Sequence, residues 1–445
     1  SGDFLLSKDG GSFSSSISYT QAEANNITLH PLVRFAPNQN NQNFEGTITV
    51  STGSLNGTIN LKGSSINPLT TLEVVNWNVE WFGSASNGPV NDAQQEQNVK
   101  AILQNLDADV YGLVEVVDEN RLASVVSQMP GYAYVISNFG SHTNPNSSTA
   151  GPLSEAQKLA FVYKTSVLSN ITAEPLLSAG INTADDLSNP NYNYWSSGRF
   201  PYMMTADVTL NCVTQKVRFV LVHAKANTSP TATSYDRRKN GADALYSLLN
   251  TTYSSDNIII LGDFNDDLDV SITAGFTTTS WNSFVSDATN YSPLTLPLSL
   301  AGKKSTASYN DMIDHVVVSN EMQGYYMPAT ASVLNDVANL ITNYANTTSD
   351  HYPVFTRYRF ANTTAPVVTT CPVVSPLCIN ESGNYTIPVF TATDDCDMVA
   401  YSYVITCATE RSGSGNDASG AFLPGSSTIT WTATDTWGNS DSCTT

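Results

Sequence analysis

Residues 258–265 read Ile-Ile-Ile-Leu-Gly-Asp-Phe-Asn. Four consecutive large apolar side chains leave no polar face, so Ile258, Ile259, Ile260 and Leu261 predict a strand buried on both sides. Gly262 ends the run, and Asp263 and Asn265 follow two residues apart. In an extended chain that spacing turns both side chains to one face. A carboxylate and an amide therefore emerge together at the C-terminal end of a core strand, where mixed sheets of α/β proteins place their chemistry. Gly, Asp and Asn also favour turns, so this stretch alone fits a bare turn equally well.

The surrounding pattern decides between the two. Strand-like runs recur at 72–79, 109–116, 158–163, 203–210, 217–222, 258–261 and 312–318. Helical spacing appears at 96–106, where Val99, Ile102, Leu103 and Leu106 share a face, and again at 122–129 and 237–249. Several strands follow one another without a helix. That favours a mixed α/β sandwich over a fully parallel doubly wound sheet. The segments 138–156 and 276–308 are long and rich in Ser, Thr and Asn, as functional or disordered loops are. His142, in the first of them, reads as a solvated loop residue.

The chain has 445 residues, enough for two to four domains, and no run approaches the ~20 apolar residues of a membrane span. Nineteen basic against 39 acidic residues give a net charge of −20, which argues against non-specific binding to nucleic acid or anionic lipid. A locally neutralised site remains compatible with it. Only 13% of residues are charged, so the surface leans on Asn, Ser, Thr and Tyr, as is common in secreted proteins. No basic-then-apolar leader follows Ser1, so any signal peptide is expected to have been removed. Cys212 stands alone, whereas Cys371, Cys378, Cys396, Cys407 and Cys443 cluster near the end. They predict a small disulfide-bonded domain in an oxidising compartment, with one cysteine left over. A zinc site is the alternative, with no close Cys-x-x-Cys pair or nearby His to support it.

The flanks differ from the middle. Thr47-Ile48-Thr49-Val50 and Thr58-Ile59-Asn60-Leu61 alternate polar with apolar, and Ser54-Leu55-Asn56-Gly57 reads as the turn of a hairpin. With 32–37, this half resembles the closing part of an immunoglobulin-like sandwich, and His30 in it is a lone histidine. Residues 67–70 read as a linker. In the tail, Thr391-Ala392-Thr393-Asp394-Asp395-Cys396 and 429–435 resemble a hyalin-repeat-type immunoglobulin-like module. That resemblance implies one more strand after the last cysteine, so the chain is expected to stop short of the module's end. The expected domains are 1–70, 71–362 and 363–445.

At its predicted strand ends the middle domain carries Asn78, Glu115, His223, Asp263 with Asn265, Asp314 with His315, and Asp350 with His351. These are oxygen ligands and imidazoles, with no cysteine among them. Carboxylate and amide oxygens suit Mg2+, Mn2+ or Ca2+ better than zinc, and Mg2+ leaves room for a substrate phosphate. Histidines can stabilise developing charge or protonate a leaving group. Together the parts suit metal-assisted hydrolysis of a phosphate ester. His315 follows Asp314 directly, so in a strand it points to the opposite face and reads as structural.

Trp77-Asn78-Val79, Leu113-Val114-Glu115, Val222-His223, Gly262-Asp263-Phe264-Asn265, Ile313-Asp314-His315 and Ser349-Asp350-His351 resemble, in order, the motifs of the endonuclease/exonuclease/phosphatase superfamily. The resemblance implies a four-layer α/β sandwich, two mixed sheets flanked by helices, here between all-β immunoglobulin-like sandwiches. It implies Glu115 as metal ligand, Asn78 as holding metal or phosphate, and Asp350 as a second metal-site carboxylate. Asp263 would orient or deprotonate the attacking water, and Asn265 would stabilise phosphoryl oxygens. His223 and His351 would flank the scissile phosphate, with Asp314 paired to one of them. Arg199-Phe200-Pro201 resembles a recurrent Arg-x-Pro element that is architectural or substrate-facing, and Lys225, two after His223, would meet a substrate phosphate or be a solvated lysine. Two departures stand out. Val114 replaces a common glutamine, and the segment before Asp314 lacks the basic residue many members carry.

The expectation is a secreted phosphodiesterase acting on DNA or RNA with Mg2+, or Mn2+ or Ca2+. Its place would be extracellular or on a bacterial surface, with the flanking modules touching cell surface or matrix. A phosphatase or lipid phosphodiesterase of the same fold is the enzymatic rival, and a non-catalytic adhesin the other. Residues 71–362 hold 15 basic against 27 acidic residues. A nuclease therefore needs a local cationic track, for which Arg237-Arg238-Lys239 and Lys303-Lys304 are candidates. Tyr192, Tyr194, Trp195 and Trp281 are candidates for stacking on bases or contacting lipid.

Overall fold

The computed structural model describes residues 3–8, 10–25, 29–37, 39, 43–67, 70–141, 153–179, 189–210, 212–396 and 399–445. His142 and much of its loop, and Pro68 and Leu69 of the expected linker, lie outside them.

The middle of the chain builds two six-stranded mixed sheets. Its elements are β1 (Thr71–Phe82), α1 (Asp92–Leu106), β2 (Val110–Val116), α2 (Glu119–Ser127), β3 (Tyr132–Gly140), β4 (Lys158–Lys164), β5 (Leu168–Pro175), β6 (Tyr202–Leu210) and β7 (Val213–His223). There follow α3 (Thr231–Thr252), β8 (Asn257–Asp263), β9 (Tyr291–Pro293), β10 (Asp314–Ser319), β11 (Ser332–Val333) and β12 (Val354–Arg359). The first sheet runs β11-β12-β1-β2-β4-β3 and the second β9-β10-β8-β7-β6-β5. Each contains one parallel pair, β1 with β2 and β7 with β8. A parallel pair cannot be joined by a tight turn and needs a crossover, which α1 and α3 provide.

The apolar run on β8 is explained by what covers it. Ile259 and Leu261 pack between the two sheets with Val74, Val114 and Phe161 of the first and Phe219 and Leu221 of the second. Ile258 and Ile260 point the other way, onto Ala242, Leu245 and Leu249 of α3. Each fully buried side chain of this size contributes about 1.5–3 kcal/mol. On the first sheet Trp77, Tyr111 and Leu113 meet Val99, Ile102 and Leu103 of α1 and Leu122 and Val125 of α2. These three helices, the long ones of the unit, start earlier than apolar spacing predicts. Their first turns are polar, and for α1 and α2 the Asn91 and Asp118 side chains cap them.

Additional strand-rich regions flank this unit. On the N-terminal side Phe4–Ser7 pairs with Leu32–Phe35, and Asn43–Thr52 with Leu55–Ser64. Thr52 faces Leu55, so the hairpin turn falls at Gly53-Ser54 and not at 54–57. Gly53, at φ 56°, supplies the left-handed conformation a two-residue turn demands. On the C-terminal side Arg411–Ser414, Ala400–Cys407, Ser427–Thr434 and Ser440–Thr444 form a four-stranded sheet. Its small core centres on Phe390, Ile405, Ile429 and Trp431, and Cys371 is disulfide-bonded to Cys443.

Candidate active site

The two parallel pairs create the site. Asn78 lies near the end of β1 and Glu115 near the end of β2, while His223 and Asp263 are paired across the ends of β7 and β8. Antiparallel neighbours begin where these strands finish. Asp314, the first residue of β10, pairs with Asp263, and the segment leading into β12 carries Asp350 and His351. Residues up to 273 positions apart in sequence thus meet at one edge.

Asn78 is at the centre. Its Nδ2 donates to Glu115 Oε1 at 3.0 Å and to Asp263 Oδ2 at 3.1 Å. His223 Nε2 stands 3.6 Å from Glu115 Oε1 and 3.5 Å from Asp263 Oδ2. On the other side His351 Nε2 is 4.0 Å from Asp263 Oδ2, and its Nδ1 is 2.7 Å from Asp314 Oδ2. Ser305 Oγ donates to that same Asp314 oxygen at 2.7 Å. Asn265 donates its backbone N–H to Asp263 Oδ1 at 2.9 Å and its side-chain amide to Ala224 O at 3.3 Å. Glu115 and Asn265 both hold left-handed backbone, at φ 66° and 51°. Asn tolerates this, but for Glu115 it costs about 1–3 kcal/mol, a strain that persists only where the surroundings impose it.

Burial sets the charge states. It raises the Glu115 pKa and, together with the Asp314 carboxylate, pushes Asp263 up to about 7. Burial, then Arg199, His351 and Lys225, hold His223 well below the usual histidine range, so its imidazole is neutral. Burial alone would lower His351 as well. The carboxylates of Asp314, Asp263 and Asp350 outweigh it and hold His351 well above the usual range, so this imidazole is a cation. The two histidines therefore carry different charges across one small site.

Glu80 was not singled out in sequence. It lies on a bulge of β1, accepts the Asp350 backbone N–H at 2.9 Å, and is pushed up to about 7 by burial and by Asp350. Its spacing of two from Asn78, the same as Asp263 to Asn265, was the available signal. Glu80, Glu115, Asp263, Asp314 and Asp350 face Arg199, Lys225 and His351 as the nearby basic groups. The Asp314 Oδ1 and His223 Nδ1 atoms are buried without a hydrogen-bond partner among the described residues. Unbalanced negative charge on oxygen donors fits a divalent cation. Asp263, Asp314 and His351 offer ligand atoms within 4.8 Å of one another. His351 Nδ1 and Ser305 occupy Asp314 Oδ2, and the Glu115 and Asp263 oxygens accept from Asn78, Trp81 and Asn265, so Asp314 Oδ1 is the carboxylate oxygen of this group left without a hydrogen bond among the described residues.

The remaining candidates are held by other contacts. Arg199 is buried beneath the site, donating to Gln157 Oε1 at 2.5 Å and to Ser196 Oγ and Ala224 O at 2.8 Å. Lys225 Nζ turns back to Thr228 Oγ1 at 2.6 Å and Ala226 O at 3.1 Å. Tyr192, Trp195 and Trp281 are core residues, so the expectation that they stack on bases or contact lipid is overturned. Trp281 stacks on Phe264 and donates to its carbonyl at 3.0 Å, which props the Asp263–Asn265 turn from below. Alternation and composition could not show this, because loop aromatics that fold inward look like exposed ones. The Arg237-Arg238-Lys239 run is not a cationic track either. Arg238 is buried on Lys225 O and Thr273, Arg237 donates to Asn193 O, and Lys239 pairs with Asp243. His315 faces away from the site, with Nδ1 3.0 Å from Thr295 Oγ1 and Nε2 2.9 Å from Met312 O.

No curated protein matches the chain significantly. Solved structures similar to it include an endonuclease/exonuclease/phosphatase from Beutenbergia cavernae, 16% identical over 84% of this chain and 99% of that one, TM-score 0.45. D. rerio TDP2 complexed with a single-strand DNA product is 12% identical over 65% of this chain and 100% of that one, TM-score 0.43. A mannosyl-6-phosphatase from Bacteroides thetaiotaomicron is 13% identical over 64% of this chain and 98% of that one, TM-score 0.40. The endonuclease/exonuclease/phosphatase family profile matches residues 75–351, more than half of the chain and the span that carries every residue of the site. The chain therefore belongs to the endonuclease/exonuclease/phosphatase family.

Proposed function

We propose that this protein is a divalent-metal-dependent phosphodiesterase that hydrolyses nucleic acid by in-line attack of water. The reading rests on one observation: two imidazoles, His223 and His351, flank an amide and two carboxylates at one sheet edge. Residues 71–362 would be the catalytic unit. Glu115, with Asn78 and Asp350, would hold the metal, with Mg2+ favoured over Mn2+ or Ca2+. When bound, it would supply Lewis-acid charge to the phosphoryl oxygens.

The chain's own groups divide the remaining work. Asp263, with a pKa near 7, is matched to orienting and deprotonating water at neutral pH. Neutral His223 donates to a phosphoryl oxygen, and Asn265 offers its amide to the same charge. Cationic His351, steadied by Asp314, gives its proton to the leaving oxygen. Arg199 and Lys225 act on this reading from beneath the substrate phosphate as positive charge, with Lys225, which burial and the neighbouring arginines lower to about 8, the more easily discharged of the two.

Two features favour a nucleic-acid diester. A phosphomonoester brings nearly two negative charges against a diester's one, and the surrounding carboxylates penalise the second. The segment after Lys303 and Lys304 is tied to the site. Ala307 N–H donates to Asp350 O at 2.8 Å, and Tyr352 N–H to Ser305 O at 2.7 Å. Exposed Lys303, Lys304 and Tyr309 flank in sequence the Thr306 that bridges to His351, two cations and an aromatic ring suited to a backbone and a base. The C-terminal disulfide supports an extracellular setting, and no helix among the described residues is long and apolar enough to cross a membrane.

Chelation tests the reading. With EDTA, cleavage of plasmid DNA and bis(nitrophenyl) phosphate is expected to fall at least about 100-fold and to return with Mg2+ or Mn2+. Turnover confined to nitrophenyl phosphate would move the function to a phosphatase, and turnover confined to sphingomyelin to a lipid phosphodiesterase. Turnover of none of these, with metal still bound, would count for an adhesin.

A further inference from the structure

The site has two sides that reach it by separate chain segments. One is the bulge after Asn78. The β1–β2 register shifts between Asn78 and Phe82, and Glu80 and Trp81 adopt φ 44° and 49°. This bulge aims Glu80 N–H at Asn78 Oδ1, at 2.9 Å, and Trp81 N–H at Glu115 Oε2, at 3.0 Å. The other side is the 347–351 segment that presents His351. Two consecutive left-handed residues without glycine are costly, and nothing in their own side chains favours them.

A side chain outside both segments joins them. Gln95 lies in the second turn of α1 and is fully buried. Its Nε2 donates to Val79 O at 2.9 Å, Glu80 O at 2.8 Å and Thr348 O at 3.1 Å, while its Oε1 accepts the Gly83 N–H at 3.1 Å. One turn later Asn98 adds to the same grip, with Nδ2 3.1 Å from Thr347 O and 3.0 Å from Thr348 Oγ1. Glutamine has both donors and acceptor for this, whereas an apolar side chain would leave the bulge carbonyls dry and unpaired.

We propose that Gln95, seconded by Asn98, is a positioning residue: its carboxamide fixes the Asn78–Glu115 side of the site relative to the His351 side. It touches none of the groups that would meet substrate and acts through the two backbone segments. The catalytic consequence rests on the phosphodiesterase reading above, and the structural consequence does not.

The full chain is compared with Gln95→Met, which keeps the volume but removes every hydrogen bond, and with the milder Asn98→Ala. In Gln95→Met, kcat on bis(nitrophenyl) phosphate is expected to fall about 100-fold with KM changed less than about threefold, as for a misplacement near 1 Å. Amide exchange in 79–83 and 346–351 is expected to quicken at least about tenfold, while 258–261 stays protected. Asn98→Ala should show the same pattern in smaller measure, and it decides the matter if Gln95→Met fails to fold. Folded variants with unchanged exchange in both segments, or with quickened exchange but undiminished kcat, overturn the proposal. If the wild-type protein turns over no phosphate ester, the phosphodiesterase reading fails, and the exchange comparison alone decides whether the grip exists.

Discussion

Replacing His351 with alanine is expected to lower kcat on a phosphodiester at least about 1,000-fold, equivalent to about 4 kcal/mol of transition-state stabilisation. The variant removes the cationic imidazole next to Asp263 and the group to which Asp314 is bonded. It leaves a small vacancy at a site edge, so the fold should survive, and an unchanged melting transition would separate chemistry from stability. The companion change Asp314→Asn has a signed effect on pH. Burial lowers the His351 pKa, and Asp314 is the largest influence opposing it. The wild-type imidazole therefore stays protonated through neutral pH, and the alkaline limb of activity appears only as pH rises through its raised pKa. With asparagine at 314 that pKa drops, so the alkaline limb of the pH–rate profile should move to lower pH. An alkaline limb that does not move would remove His351 from the acid role. Residual activity above about one tenth in His351→Ala would remove it from the mechanism.

The largest expected effect on stability is at Gly262, where β8 ends beside the site. Its φ of 133° belongs to glycine, and a Cβ there would lie 2.1 Å from the Val222 carbonyl oxygen on the paired strand. Both atoms of that clash are backbone or bonded directly to it, so no side-chain rotation relieves it. The Gly262 carbonyl also accepts from buried Asn76 Nδ2 at 3.0 Å, which resists a shift of the strand. Gly262→Ala is expected to cost about 4 kcal/mol or more in denaturant unfolding, at the extreme of single substitutions. Gly112→Ala is the control. There the added Cβ meets the Leu221 and Leu261 methyls at 2.8 and 3.0 Å, flexible ends of side chains on the facing sheet. Overpacking of that kind costs about 1–3 kcal/mol. Equal losses at the two positions would refute the distinction between backbone and side-chain clashes drawn here.

Sequence alone determined the strands that matter and the order in which they deliver polar residues. An apolar run such as 258–261 is legible because burial on both faces demands it of the sequence itself. Glu115, His223 and Asp263 each fall at the close of such a run, so their place at strand ends was also legible, whereas the strand carrying Asn78 continues past it to Phe82. His315 could be set apart from Asp314 for an equally local reason, since adjacent residues of a strand face opposite ways. Tertiary structure decided what local pattern does not encode. Whether Trp281 is exposed depends on Phe264, 17 residues away, and whether Arg238 meets substrate or core depends on Thr273. The charge states of His223 and His351 differ because one faces Arg199 and the other Asp314, neighbours that only the fold supplies. Gln95 looks like any polar helix residue until the bulge at 79–83 and the 347–348 segment are packed against it. Periodicity reports the backbone a residue sits on and the face it shows. Its partners across the core are fixed only when the two sheets close.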